Sequence, residues 1–474
     1  MLFNSLEYIF LFLPITLIIY YILLRHKLVL ASKIFLIIAS LFFYAFWNIK
    51  YLPILIFSIL VNYFFGNALI RQKNRRFFIL AIILNISLLA YFKYCNFFLD
   101  NIAIFYPNLF DNSIIIILPL AISFFTFQQI AYISDCYYGK LKDQNFVNYA
   151  LFVSFFPQLI AGPIVHHGQM MPQFLGLKTK IIHYKNLALG LFIFAVGLFK
   201  KVVIADYLSE IVNFSYQNYQ DLSFFDAWKA SLYYTFQLYF DFSGYTDMAI
   251  GVALMFNIKL PFNFNSPYKA ANIADFWQRW HMTLSKFLKD YIYIPLGGNR
   301  VGNLKIYRNL ILVFLISGLW HGAGWNFIFW GFLHGVAISL HRFWQGFNIK
   351  INYYLAWFLT FNFVNISWIF FRSENFAQAL VILKKMFIIS NDDLGFYDNY
   401  QIFMEFIRFK SVEYLILALS LFTFYYIYPI ITKDAEKLIK IFKINRKFYF
   451  ITLILLLVPL LSFQQTSEFL YFNF

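Results

Sequence analysis

His321 is the residue whose surroundings in this sequence point most strongly to chemistry. It lies among the glycines of residues 317–325, and the flanking residues 309–316 and 327–338 contain no Lys, Arg, Asp or Glu. An ionisable side chain at membrane depth is costly, so it indicates either function or a buried polar partner. A histidine titrates near neutral pH and can take a proton from a hydroxyl group. Two interpretations follow: a general base in an apolar site, or a histidine that hydrogen-bonds between packed helices.

A second set of polar side chains lies within the apolar residues 226–256. Gln237, Asp241 and Tyr245 follow one another at four-residue steps, and Asp247 falls on another face of the predicted helix. Carboxylates inside a spanning helix have to face a polar interior. They can bind a metal ion or form a hydrogen-bond network around a substrate path. Because no tight set of metal ligands accompanies them, the sequence favours the network and predicts no metal site.

Residues 275–281 combine acidic, basic, aromatic and histidine side chains. On a helix, Asp275 and Arg279 are four residues apart and can pair, and Trp277 lies on the same face as His281. Such a stretch, with the basic residues after it, suits a phosphate-rich ligand such as coenzyme A, but anionic lipid headgroups attract the same lysines. The basic residues that follow are Lys286, Lys289, Arg300, Lys305 and Arg308.

The composition indicates what kind of fold has to position these residues. Of 474 residues, 61% are hydrophobic and only 13% are charged. A soluble protein of this length could not bury so much apolar surface, whereas a lipid bilayer accepts it. We therefore predict an all-α polytopic membrane protein with about 11 or 12 transmembrane helices in one domain, residues 1–474. The apolar stretches of spanning length are residues 6–24, 33–48, 50–70, 77–98, 113–134, 186–204, 226–256, 309–320, 325–341, 353–371, 412–432 and 447–463.

The basic residues indicate the orientation of the chain rather than a nucleic-acid partner. The formal net charge is +16, but the Lys and Arg residues lie in short loops between apolar stretches. The positive-inside rule places these loops in the cytoplasm, and alternation along the chain then places both termini outside. Lys200 and Lys201 are the exception, since they fall toward the outer end of a span. They either face a polar interior or snorkel to the interface.

Three stretches differ from simple spans. Residues 146–174 contain prolines and a glycine that break an apolar run, and non-helical backbone at that depth needs protein or water around it, so we predict a re-entrant element. Residues 272–299 are amphipathic and rich in Trp, which predicts a segment along the cytoplasmic face. Residues 309–320 are short for a full span and predict a half-helix beside His321.

Taken together, these stretches resemble the membrane-bound O-acyltransferase family, in particular its bacterial cell-envelope branch. The resemblance implies a helical ring around a central funnel. It also implies that His321 is the catalytic histidine at the constriction and that His281 is a second catalytic histidine on the cytoplasmic side. Gln278 departs from the pattern, which often has Arg there; this touches donor contacts and not the reaction class. The matching stretches are residues 1–5, 156–163, 198–201, 240–248, 275–281, 291–300 and 317–326.

The branch includes alginate and peptidoglycan O-acetyltransferases and the membrane subunit of teichoic-acid D-alanylation. Its members pass an acyl group from a cytoplasmic thioester across the membrane, commonly to a separate periplasmic transferase. The resemblance therefore implies acetyl-CoA as the acyl-donor substrate and no bound cofactor. The implied partners are a periplasmic glycan O-acetyltransferase and membrane lipids.

The last six residues add a candidate acyl acceptor. They resemble the tyrosine-containing C-terminal motif of this system, and the loop charges place them outside. Tyr471 is therefore a candidate acyl relay. Anchoring of aromatic side chains at the membrane interface explains the same residues, and both interpretations stay open.

These observations predict a membrane O-acetyltransferase of the bacterial inner membrane, with both termini periplasmic and peptidoglycan as the favoured acceptor polymer. His321 acts as general base on an acceptor hydroxyl. Alginate or another exopolysaccharide is the alternative acceptor. A polytopic transporter and a non-catalytic assembly scaffold are alternatives of a different class. The residues predicted to bind the donor or line its tunnel are Asp241, Tyr245, Trp277, Arg279 and Trp320.

Overall fold

The structure is a computed structural model that describes residues 1–106, 116–141, 145–389, 428–461 and 469–470. Every regular element in these ranges is helical, and no strand occurs among them. The helices are α1 (Leu13–Arg25), α2 (Val29–Ala45), α3 (Leu52–Arg71), α4 (Arg75–Phe105), α5 (Ile122–Tyr137), α6 (Phe146–Ser154), α7 (Phe156–Leu159), α8 (His167–Leu175), α9 (Tyr184–Phe199), α10 (Asp206–Gln217), α11 (Phe224–Met255), α12 (Ile273–Arg279), α13 (Met282–Leu288), α14 (Asn303–His321), α15 (Trp325–Gln345), α16 (Tyr353–Arg372), α17 (Phe376–Phe387), α18 (Tyr428–Ile431), α19 (Ala435–Ile441) and α20 (Arg446–Leu461).

Several helices begin where an asparagine caps the first turn. Asn145 precedes α6 and Asn272 precedes α12, and in each case the side-chain oxygen accepts from backbone N–H groups that have no partner within the helix. Such caps fix the start of a helix from local sequence alone.

The chain is an all-α membrane protein. Five described stretches are long and apolar enough to cross a bilayer, and each overlaps a predicted span. Helix α5 begins only at Ile122, although its apolar run starts at residue 113, because Pro119 disfavours helix in the residue before it and Ala121 is left-handed. Residues 412–427 of the predicted span 412–432 lie outside the described residues. The five stretches are Tyr8–Arg25, Ile49–Arg71, Arg75–Phe105, Tyr184–Gln217 and Tyr353–Arg372.

Residues 146–174, predicted to be re-entrant, form three short helices instead of one span. Helix α6 ends before Phe155, α7 carries Pro157 in its only turn, and α8 begins at His167. Residues 148–167 are all buried. The backbone groups between these helices are therefore surrounded by protein, as non-helical backbone in an apolar environment requires.

Residues 272–299 contain two seven-residue helices, followed by a π-helical turn. Trp280 is extended and His281 is left-handed, with φ of 43°, so the chain breaks between α12 and α13. The prediction that Trp277 and His281 share one helix face is therefore wrong. The predicted pair within α12 does form, with Arg279 Nε 2.7 Å from Asp275 Oδ1.

Helices α9 and α11 pack so closely that their contact requires glycine. A Cβ atom on Gly197 would lie 2.5 Å from the carbonyl oxygen of Gly244. Close approach through small residues is a common way for helices to associate in membranes. The contact places the end of α9 directly against the middle of α11.

A π-helical turn, Lys200–Ala205, continues α9 and directs two consecutive lysines at α11. Lys200 Nζ lies 2.7 Å from Asp247 Oδ2, and Lys201 Nζ lies 2.6 Å from Asp241 Oδ1. All four side chains are buried. Of the two alternatives for these lysines, the structure therefore shows the polar interior.

Helices α14 and α15 form an antiparallel hairpin in which His321 is the last residue of α14. A Cβ atom on Gly318 would overlap the carbonyl group of Phe327, so the hairpin requires glycine there. Helix α14 has 19 residues, a length of about 28 Å at 1.5 Å per residue. The helix begins six residues before the predicted stretch 309–320, and it is not among the five stretches that are long and apolar enough to cross a bilayer.

Candidate active site

His321 is enclosed by aromatic rings at the end of α14. Its residue exposure is 1%. The imidazole meets the rings of Trp320, Trp330 and Phe371 edge-on, at centroid distances of 4.9, 5.1 and 5.2 Å. Edge-to-face contacts orient a ring as well as burying it. The imidazole is thus held in a water-poor pocket, where electrostatic interactions are stronger than in water.

His281 is the second buried histidine of the site, and the ring of Trp320 neighbours both histidines. The centroid distances are 6.0 Å from His281 to Trp320 and 4.9 Å from Trp320 to His321. The structure therefore brings together three residues that the sequence predicted separately, two histidines and one tunnel-lining tryptophan.

Hydrogen bonds to Asn263 determine the tautomer of His281. Asn263 Oδ1 accepts from the backbone N–H of Thr283 at 3.3 Å and from its hydroxyl at 2.6 Å. Because a backbone N–H can only donate, this atom is the amide oxygen. His281 Nδ1 lies 3.3 Å from the same oxygen and must donate to it. The lone pair of a neutral His281 is therefore on Nε2.

Asp241 and Tyr245 contact the described part of the C-terminal tail, residues 469–470. The backbone N–H of Leu470 donates to Asp241 Oδ2 at 3.0 Å, while Oδ1 pairs with Lys201. The ring of Phe469 meets Tyr245 edge-on at a centroid distance of 4.6 Å, and Lys201 Nζ lies 4.7 Å from its centre. Phe469 is only 1% exposed. The tail is therefore docked on α11, and the candidate relay Tyr471 lies outside the described residues.

Tyr245 is fixed by three distant parts of the chain. Phe3 stacks on its ring at 5.0 Å, and Phe469 contacts it edge-on. Its hydroxyl accepts from the backbone N–H of Ala161, in the broken segment between α7 and α8, at 3.3 Å. Tyr245, which contacts the tail through Phe469, is therefore itself held in a fixed position.

Trp277 belongs to a hydrogen-bonded chain behind the His321 pocket. Its Nε1 donates to His334 Nδ1 at 3.2 Å, so His334 donates through Nε2 to Ser367 Oγ, 3.0 Å away. Trp277 also contacts Trp330, at a centroid distance of 5.8 Å, and Trp330 in turn contacts His321. Arg279 is less buried, with 32% of its side chain exposed, and pairs with its neighbour in α12.

A polar cluster surrounds Tyr291 in the π-helical turn after α13. Its hydroxyl donates to Asp135 Oδ1 at 3.0 Å and lies 3.2 Å from His166 Nδ1. Lys140 Nζ lies 2.8 Å from the same carboxylate oxygen and is largely exposed. Burial, together with the Asp135 carboxylate, raises the pKa of Tyr291, so the phenol stays protonated near neutral pH. Lys140 contributes positive charge here. Burial, together with the positive charge of Lys286, lowers the pKa of His166.

The described ranges contain no group of three or more His, Cys, Asp or Glu side chains placed to hold a metal ion. Asp241 and Asp247 of α11 are instead paired with the lysines of the π-helical turn after α9. The site consists of histidines, aromatic rings and ion pairs.

Lys93 is a residue of the site that the sequence did not single out. It is 7% exposed and donates to the backbone carbonyl groups of Trp320 and His321. A lysine within the apolar residues 77–98 was an available signal, because a charge inside a spanning segment is costly.

Known proteins and a family model are similar to this chain. The model described as MBOAT, membrane-bound O-acyltransferase family, matches residues 77–377. The chain is 48% identical to the peptidoglycan O-acetyltransferase of Helicobacter pylori over 420 residues, 81% of this chain and 80% of the relative. It is 37% identical to the probable alginate O-acetylase AlgI of Pseudomonas aeruginosa over 447 residues, 92% and 84% of the two chains. It is 28% identical to the teichoic acid D-alanyltransferase of Bacillus subtilis over 276 residues, 54% and 69% of the two chains.

Proposed function

Because the chain belongs to the membrane-bound O-acyltransferase family, we propose that it moves an acetyl group across the bacterial inner membrane for O-acetylation of a cell-envelope polysaccharide. The family gives the reaction class, transfer of an acyl group to a hydroxyl oxygen. The relative from Helicobacter pylori supports acetyl as the group and peptidoglycan as the polymer. The alginate relative from Pseudomonas aeruginosa, at lower identity, supports alginate or another exopolysaccharide as the second candidate acceptor.

The single observation that carries the mechanism is the pair of buried histidines around Trp320. His321 takes the proton of the acceptor hydroxyl while the hydroxyl oxygen attacks the carbonyl carbon of the acetyl thioester. The carbon–sulfur bond then breaks and coenzyme A leaves as a thiolate. The imidazolium of His321 returns the proton to the sulfur, so the base is regenerated.

His281 acts beside this step as a second catalytic histidine. Its Nδ1 is committed to Asn263, so its Nε2 is the atom that can accept a proton or a hydrogen bond from the reacting groups. The Trp320 ring contacts both histidines, and we take it as a wall of the proposed path between them. This arrangement supports a donor that enters on the His281 side and reacts at His321.

Acetyl-CoA is the donor that we propose, and it binds from the cytoplasm. Its phosphates need cations; Lys140 lies at the polar cluster around Tyr291, and Lys286 is one of the basic residues that follow residues 275–281. Trp277 and Arg279 remain proposed donor-side residues: Trp277 supports the wall of the His321 pocket, and Arg279 is partly exposed. Both termini are proposed to be periplasmic.

Tyr471 is proposed as the acyl relay to a periplasmic glycan O-acetyltransferase. Tyr471 directly follows Leu470, whose backbone N–H is bound by Asp241. Phe469 is buried against Tyr245, which is not the environment of an aromatic ring that anchors at the membrane interface. The docking of these two residues supports a tail that reaches into the protein, where a tyrosine hydroxyl can receive an acetyl group.

The test is intact-protein and peptide mass spectrometry after purified protein is incubated with labelled acetyl-CoA. Wild-type protein should carry label on Tyr471, and both His321→Ala and Tyr471→Phe should lose it. His26→Ala is the matched control, because His26 is an exposed loop histidine. It should label like the wild type.

Each other outcome removes a defined part of the proposal. Acetyl delivered to an added outer partner without label on Tyr471 would remove the relay and keep the enzyme. Transfer that persists in His321→Ala would remove the general base. No transfer to either acceptor in the presence of the partner, with solute flux in proteoliposomes, would replace the enzyme by a transporter.

A further inference from the structure

The end of α14 is a place where backbone carbonyl groups need donors. The last carbonyl groups of a helix have no partner within it, and leaving them unpaired in an apolar interior is costly. Two consecutive residues of α4 supply the donors. Tyr94 Oη donates to the Leu319 carbonyl oxygen at 2.6 Å. Lys93 Nζ donates to the carbonyl oxygens of Trp320 and, at 3.4 Å, His321.

Lys93 brings a charge as well as hydrogen bonds. Its third acceptor is Ser123 Oγ, 3.2 Å away, so three N–H groups meet three neutral oxygens. Across the described part of the chain, no carboxylate lies within ion-pair distance of Lys93. A neutral donor could cap the same carbonyl groups at a much lower desolvation cost. The charge itself therefore needs an explanation.

The reaction assigned to His321 provides one. The carboxyl-terminal end of a helix carries a partial negative charge, and acyl transfer places further negative charge on the carbonyl oxygen of the donor. Without compensation, the partial negative charge at the end of α14 would oppose the negative charge that develops on the carbonyl oxygen of the donor in the transition state. The Lys93 ammonium group, bound to the last two carbonyl groups, cancels the partial negative charge of the helix end. It also fixes the backbone from which the His321 imidazole projects.

We propose that Lys93 is a positioning residue for His321. Lys93 holds His321 through the capped end of α14, and the Lys93 charge offsets the partial negative charge at that end of the helix. This inference rests on the proposed function, because it takes His321 as the general base. It concerns the transition state and not donor binding. Loss of Lys93 should therefore lower kcat and leave KM for acetyl-CoA nearly unchanged.

The test separates charge from hydrogen bonding in two variants. Lys93→Gln keeps hydrogen-bond donors and removes the charge, and kcat should fall by about 30-fold with KM changed by less than about twofold. Lys93→Arg keeps the charge and should recover at least about tenfold of that loss. Lys50→Gln is the matched control, because Lys50 is exposed, and it should keep the wild-type kcat. All rates are expressed per monodisperse folded protein.

A third variant covers the case in which Lys93→Gln does not fold. Tyr94→Phe removes only the donor to Leu319 and should lower kcat by about three- to tenfold at constant KM. Wild-type kcat in Lys93→Gln or Tyr94→Phe, or an arginine variant no better than the glutamine variant, would overturn the inference. Wild type and His321→Ala are assayed in parallel, so an inactive wild type or an active His321→Ala would instead show that the proposed function fails.

Discussion

Replacing Phe469 by alanine should release the tail from α11 while the rest of the protein stays folded. The Phe469 side chain is 1% exposed and contacts Tyr245 and Lys201. Truncating a buried Phe to Ala costs about 3–5 kcal/mol. Phe469 and Leu470 lie outside the helices of the described ranges, so this cost falls on their docking and not on the helices. A loss of about 3 kcal/mol lowers the docking equilibrium constant by about 150-fold.

The assay is the time course of label on the tail peptide after addition of labelled acetyl-CoA. Phe469→Ala should acquire label on Tyr471 at least about ten times more slowly than the wild type, since less of the tail is docked at any moment. The melting temperature should stay close to that of the wild type. Phe450→Ala is the matched control: it makes the same chemical change at a Phe of α20 that is 57% exposed.

Three results would refute this reasoning. Unchanged labelling of Tyr471 in Phe469→Ala would show that docking of Phe469 does not deliver the tail to the site. An equal loss in Phe450→Ala would trace the effect to aromatic anchoring at the interface. A large fall in melting temperature would show that Phe469 supports the whole protein and not only the tail.

Three further substitutions test the packing and the site. Asp241→Asn removes the charge that pairs with Lys201 and should lower the free energy of unfolding by up to about 3 kcal/mol, seen as a lower melting temperature. An unchanged melting temperature would contradict a stabilising ion pair. Gly197→Ala forces a Cβ against α11 and should cost about 1–3 kcal/mol or more, whereas Gly168→Ala meets nothing within 4 Å and should leave the melting temperature unchanged. Asn263→Leu removes the acceptor that sets the His281 tautomer and should lower kcat by about tenfold or more at constant KM. Asn263→Asp keeps an acceptor oxygen and should retain more activity. Equal rates in the two variants would argue against a role of Asn263 in setting the tautomer.

The helices were predictable because a bilayer imposes a local rule. Apolar stretches of spanning length become helices wherever the chain crosses lipid, since each backbone group must be paired within its own segment. The same rule predicted that Asp241 faces a polar interior. It could not name the partner, because the pair with Lys201 depends on the glycine contact between α9 and α11 and on an extra residue in the π-helical turn.

The parts of the site that the sequence did not predict depend on contacts between distant residues. Lys93 is 227 residues away from Trp320, and Leu470 is 229 residues away from Asp241. Left-handed backbone at a histidine is unusual, and at His281 it accompanies hydrogen bonds to Asn263, 18 residues earlier. Neither helical periodicity nor composition carries information about such pairs. The break after α12 and the capped end of α14 are therefore visible only in the structure.

The position of Tyr245 also constrains the order in which this protein can be assembled. Its ring packs between Phe3 and Phe469, and during synthesis the first of these leaves the ribosome long before the second. Until residues 469 and 470 arrive, the oxygen of Asp241 that receives Leu470 has to be hydrated or covered by another protein. The insertion machinery therefore has to tolerate a carboxylate oxygen of α11 that waits for water or another protein to cover it until Leu470 docks.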